Sequence, residues 1–134
     1  MANAFYNNFK QQLGLAGFDL SGDTIKVVLV DTDDYTPNLT TDTNLVNIPA
    51  GARVATGTLA SQAWTAGVFD AADITFTTVT GDPSEALVIY KDTGTEATSL
   101  LIALFDTVTG LPVTPNGGDI QIVWDNGVNK IFKL

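Results

Sequence analysis

A chain of 134 residues is the size of one domain and long enough to bury a core without disulfide staples. Its 15 acidic and 6 basic side chains give a net charge of -9, and it has neither His nor Cys. That excludes disulfides, thiol or imidazole nucleophile systems and zinc sites built from Cys and His, and it disfavours nucleic acid, which is met with clustered Lys and Arg.

Charged residues make up only 16% of the chain and hydrophobic ones 45%, against roughly 25% charged in an ordinary soluble domain. The basic side chains are Lys10, Lys26, Arg53, Lys91, Lys130 and Lys133. A chain this apolar and this poor in reactive groups is expected to work by packing against other copies or partners. The acidic balance also disfavours anionic membrane surfaces. The opening lacks the basic flank and apolar core of a signal peptide, and no apolar run has bilayer-spanning length. The chain is therefore expected to be made in the cytoplasm.

In chain order, residues 3–15 read as a short helix within an N-terminal unit 1–17. Phe5, Phe9 and Leu13 recur at helical spacing with Tyr6 beside them, Asn3 is the expected N-cap, and Gly14 or Gly17 the stop. A helix this short needs its aromatic stripe buried, on its own domain or on a neighbouring subunit. Residues 24–134 then read as a β domain. The predicted strands are 25–30 (IKVVLV), 58–64 as a weak one, 74–79 (ITFTTV), 86–90 (ALVIY), 100–105 (LLIALF), 120–124 (IQIVW) and 130–134 (KIFKL). Asn126-Gly127 predicts a tight primed hairpin turn between the last two. The expected fold is an antiparallel β-sandwich or barrel with one short N-terminal helix. Its predicted core is Ile25, Val27, Leu29, Ile74, Phe76, Leu87, Ile89, Leu101, Ala103, Ile120, Ile122 and Trp124.

Segment 31–49 is rich in Thr, Asp and Asn and too long for an ordinary loop, so it reads as functional or as an arm held by a neighbour. Strands 25–30, 86–90 and 100–105 are apolar on both faces. A sandwich covers one face of each sheet, so the second face predicts self-association, with a trimer favoured.

The carboxylate pairs Asp33/Asp34, Asp70/Asp73 and Asp82/Glu85 sit in turn-like sequence and read as backbone caps rather than catalytic pairs. Asp31, Asp33 and Asp34 open like a calcium loop, but the glycine at its sixth position and the glutamate at its twelfth are missing, so neither metal nor cofactor is expected. Of the aromatics suited to sugar stacking (Trp64, Trp124, Tyr90), Trp124 alternates in phase with Ile120 and Ile122 and reads as core. Tyr35 and Trp64 lie in polar stretches and read as exposed. Phe5, Tyr6, Phe9, Tyr35 and Trp64 are the candidate partner contacts.

Two stretches carry a resemblance. The opening MANAFYNNFKQQLGLAGFDLSGDTIKVVLVDTDDYTPN and the later FDAADITFTTVTGDPSEALVIYKDTG, with SLLIALFD and GGDIQIVWDNGVNKIFKL, are similar to a group of small tailed-phage and prophage virion proteins. The Asp-Thr-Ile-Lys-Val and Ile-Tyr-Lys-Asp-Thr-Gly segments are the most distinctive, and the similarity covers most of the chain. After Pro37 this chain departs from many relatives, which carry a longer Asp/His-rich arm. The resemblance implies a non-enzymatic virion component, in first place a decoration or cement protein on the outside of the head, bound to the major capsid protein or another virion protein. A tail-associated fibre, adaptor or baseplate component is the alternative. It implies no catalytic residue.

Overall fold

The computed structural model describes residues 3–134. The protein is mainly antiparallel β-structure with one short helix. Its centre is a five-stranded sheet in the order β1-β8-β7-β2-β3: β1 (Ala4–Phe5), β8 (Leu100–Phe105), β7 (Ala86–Lys91), β2 (Ile25–Val30) and β3 (Arg53–Thr58). Two smaller sheets accompany it. One has the order β10 (Phe132–Lys133), β5 (Val68–Asp70), β4 (Ala63–Thr65), and the other pairs β6 (Ile74–Phe76) with β9 (Ile120–Ile122). No helix among the described residues is long and apolar enough to cross a membrane.

The middle strands β2, β7 and β8 form where apolar residues run almost continuously, Lys26 and the terminal Lys91 apart, which suits a sheet buried on both sides. On one face Ile25, Val27, Leu29, Leu87 and Ile89 pack with Ile74, Phe76 and Ile122 from the smaller sheets and with Trp124 just beyond β9. Phe69 and Phe132 join them, and Phe9 comes in from α1 (Asn7–Gly14). Mid-strand Gly57 in β3 lets β6 come close: a Cβ there would stand 2.5 Å from Ile74 Cδ1.

The second face is covered by the chain itself. Val28, Val30, Val88, Leu101 and Leu104 pack under Tyr35, Leu45, Ile48 and Ala52, with Tyr6 beside them. Segment 31–52 is tied down along its length. Asn7 N–H donates to Leu39 O, Leu45 N–H to Ser99 O and Leu101 N–H to Thr43 O, at 2.8–3.0 Å. Arg53 locks its end, donating to the carbonyls of Leu45 and Ile48 while pairing with Glu96 at 2.6 Å. The bare second face on which the trimer expectation rested is therefore absent, and 31–49 is not an arm left over for a neighbour.

Several local expectations are corrected. The helix is shorter, because Ala4–Phe5 pairs with β8 and Tyr6 takes the N-cap position. Asn3 does not cap it; its Oδ1 accepts the N–H groups of Asp106 and Thr107 instead. The helix ends on Gly14, one of the two expected stops, and Ala16 (φ 58°) rather than Gly17 makes the left-handed exit. The predicted strand 58–64 covers only the last residue of β3 and the start of β4, with residues 59–62 between them in no strand. No hairpin forms at Asn126-Gly127, since β9 and β10 lie in different sheets and Asp125 Oδ1 accepts the Gly127 N–H in a local turn. The two-residue primed turn is Ala66-Gly67 (φ 53° and 79°), joining β4 to β5. Leu101 faces the second side, not the predicted core. A bulge between Ile89 and Tyr90 leaves Ile102 unopposed, so Ile102 and Ala103 both turn to the first face. Ile120 is half-buried at the margin of that core.

Candidate functional site

The five expected partner contacts do not form one surface. Tyr6 and Phe9 have no exposed area, and Tyr35 is 4% exposed, so these three are interior side chains. Tyr35 is buried despite its polar neighbours because its ring closes the second face and its hydroxyl is bonded at both ends: it lies 2.9 Å from Tyr6 Oη and donates to Asp42 Oδ2 at 2.8 Å. Phe5 is half-buried against Phe9 and Phe132. Trp64 is the exposed member, 36% accessible on β4, where all three residues are exposed, with its ring 6.1 Å from Phe132. The three aromatics considered for sugar stacking are dispersed. Tyr90 and Trp124 belong to the two opposite cores.

The carboxylates are brought together further than sequence spacing indicates. Asp31 groups with Asp34 and Asp82, and also with Asp33 and Glu85, with one oxygen from each member of a trio within 4.8 Å of the others. This joins the Asp31/Asp33/Asp34 loop to the Asp82/Glu85 turn. Oxygen ligands at this spacing are the chemistry of a hard cation. Two of these oxygens already accept hydrogen bonds within the chain. Asp31 Oδ1 accepts the Asp33 N–H at 2.9 Å, and Glu85 Oε1 accepts both the backbone N–H and the hydroxyl of Thr32 at 3.1 and 3.0 Å. Those bonds tie the two loops together without help. Asp70 and Asp73 act as caps, accepting the N–H groups of Ala71 and Trp124.

Among the described residues three ion pairs occur: Lys26 with Asp92, Arg53 with Glu96 and Lys91 with Asp23. Asp92 is held below the usual carboxylate range, chiefly by the Gly94 N–H and then by Lys26. Lys10, Lys130 and Lys133 belong to none of these pairs. Lys130 and Lys133 border adjoining grooves at the C-terminal end of the chain, lined by Asn3, Phe105 and Ile131 in common. Sequence reasoning did not single these lysines out; the signal was their rarity in so acidic a chain. No protein-family model matches the chain, and no curated protein matches it by sequence.

Proposed function

We propose that the chain is a non-enzymatic structural component of a tailed-phage particle, a decoration or cement protein on the outside of the head. The observation that carries this reading is where the exposed large apolar side chains sit. Val123, Val128 and Leu134 are 57%, 85% and 51% exposed within the last stretch of chain, and Trp64 leans on Phe132 of that stretch. The other two are Leu15 and Val46. Val123 lines a groove beside Trp124, and exposed apolar side chains there and along the same stretch, on a protein that is otherwise acidic, suit docking on a larger shell. The acidic remainder limits sticking between particles. The similarity to small virion proteins supports the same setting, and the major capsid protein is the partner of choice. Contacts between copies then form on the head lattice rather than through a sheet face.

Co-sedimentation with empty heads tests the reading. The wild-type protein is expected to pellet saturably, and Val123→Asp/Val128→Asp to remain in the supernatant. Equal pelleting of both, or of neither, counts against it.

The tail-associated alternative is favoured by Trp64 alone: an indole on an exposed edge strand is a stacking surface for a host glycan. Loss of host adsorption in a Trp64→Ala phage with intact heads would favour it.

A further inference from the structure

The strands form three separate sheets, and two seams between those sheets can be compared. One seam lies between β3 and β6, which pack together without ladder pairing. The other lies between β1 and β10, each of which pairs with another strand on one side only. The two seams are dressed differently. Thr56, Thr75, Thr77, Thr78 and Thr80 line the first, so its walls carry hydroxyls that water satisfies. The second is a groove of about 210 Å³ between Ala4 and Phe5 on one wall and Ile131, Phe132 and Lys133 on the other. Its floor is aromatic, with the rings of Phe5 and Phe132 edge to face at 5.0 Å.

Backbone groups face this groove from both sides. Tyr6 N–H donates to Ile102 O at 3.0 Å, and Phe5 stands opposite Ala103. The alternation of an antiparallel ladder then directs the Phe5 N–H and C=O away from β8. Leu134 N–H donates to Gly67 O at 2.8 Å, and by the same alternation the Lys133 N–H and C=O point away from β5. Lys133 stands on the rim. The groove continues past Ile131 into a wider one of about 430 Å³ bordered by Lys130, Val123 and Trp124. Asp125 lies on that wider rim, where it accepts the Gly127 N–H. Neither lysine has an ion-pair partner among the described residues, although acidic side chains outnumber basic ones by 15 to 6 in the chain.

We propose that the seam between β1 and β10 accepts an extended, acidic segment of another polypeptide as an added strand. Unpaired edges supply the backbone bonds, the Phe5/Phe132 floor takes alternate apolar side chains, and Lys130 and Lys133 meet the carboxylates. Because β1 and β10 are two residues each, ring contacts and the lysines carry most of the grip. A second copy presenting the same seam is disfavoured, since it would set Lys130 and Lys133 against their own counterparts. The inference stands apart from whether the protein sits on a head or a tail.

Two capped seven-residue peptides test it, one alternating Asp with Val and the other Lys with Val, each titrated into the labelled protein and followed by amide NMR. The Asp–Val peptide is expected to shift the amides of residues 3–6 and 131–134 and to bind at least about tenfold more tightly than the Lys–Val peptide. Lys130→Glu/Lys133→Glu is expected to reverse that preference with an unchanged melting temperature. Absence of shifts at those residues, equal binding of both peptides, or a preference unaffected by the charge reversal would overturn the proposal. So would seam shifts that grow with protein concentration alone, the signature of self-pairing.

Discussion

The hydroxyls of Tyr6 and Tyr35 lie 2.9 Å apart in the interior, joining the start of the helix to the segment that covers the second face of the sheet. Tyr35 donates onward to Asp42, so Tyr6 donates to Tyr35 and the chain of bonds ends on a carboxylate, which also accepts the Asn38 N–H. This small network fixes an otherwise polar stretch of sequence onto Val28, Val88 and Leu104.

The order of donors makes the two tyrosines unequal. Tyr6→Phe removes the terminal donor and leaves the Tyr35–Asp42 bond intact, so it is expected to cost about 0.5–1.5 kcal/mol. Tyr35→Phe leaves the Tyr6 hydroxyl buried without an acceptor and takes a donor from Asp42, for an expected cost of about 1–3 kcal/mol. Urea denaturation of both variants checks this, and equal costs would contradict the donor order.

Burial pushes both phenols above the usual tyrosine range of about 10, with the Asp42 charge adding to the rise in each. A raised folded-state value means that the folded protein keeps these protons while the unfolded chain loses them. Their contribution is fully present below pH 10 and is lost as pH climbs from there, at about 1.4 kcal/mol per pH unit for each group. The denaturation midpoint of the wild type is expected to fall between about pH 9.5 and 11.5, and that of a Tyr6→Phe/Tyr35→Phe variant to fall less steeply. Parallel pH profiles would show that the pair is not the cause.

Ile48 is fully buried over the second face. Ile48→Ala is expected to destabilise by about 2–5 kcal/mol through the lost contact and the cavity left behind. With the face covered in cis, the free wild-type protein is expected to sediment as a monomer. Replacing residues 36–48 by a short Gly/Ser linker is expected to uncover Val28, Val88 and Leu101 and drive association. A stable wild-type trimer would restore self-association as an intrinsic property.

The central strands were legible because Leu100–Phe105 is an unbroken apolar run and Ile25–Val30 is broken only by Lys26. What covers them was not. Segment 31–52 shows no periodicity, and its role depends on contacts such as Tyr35 with Tyr6, 29 residues away. β3 escaped notice because Arg53-Val-Ala-Thr-Gly-Thr mixes glycine and threonine at a half-buried edge, where side-chain pattern is weak. The facing of Leu101 turned on a single bulge residue, which reverses alternation without any local signal. Each half of the carboxylate group was visible in the sequence, but their union spans 53 residues between Thr32 and Glu85.

That union gives a sharp test of metal dependence. Since Thr32, Glu85, Asp31 and Asp33 already bond among themselves, the two loops are expected to hold without an ion. Chelation, or millimolar calcium, is expected to move the melting temperature by no more than about 2 °C. A rise that continues with the logarithm of calcium concentration would establish a cation site there.

Quantitative mass spectrometry of phage particles purified from cells that carry the gene for this chain tests the central proposal most directly. The protein is expected in fixed proportion to the major capsid protein, and to persist in tailless heads. Its absence from particles would contradict a virion role, and a small fixed number of copies confined to tails would contradict the head assignment.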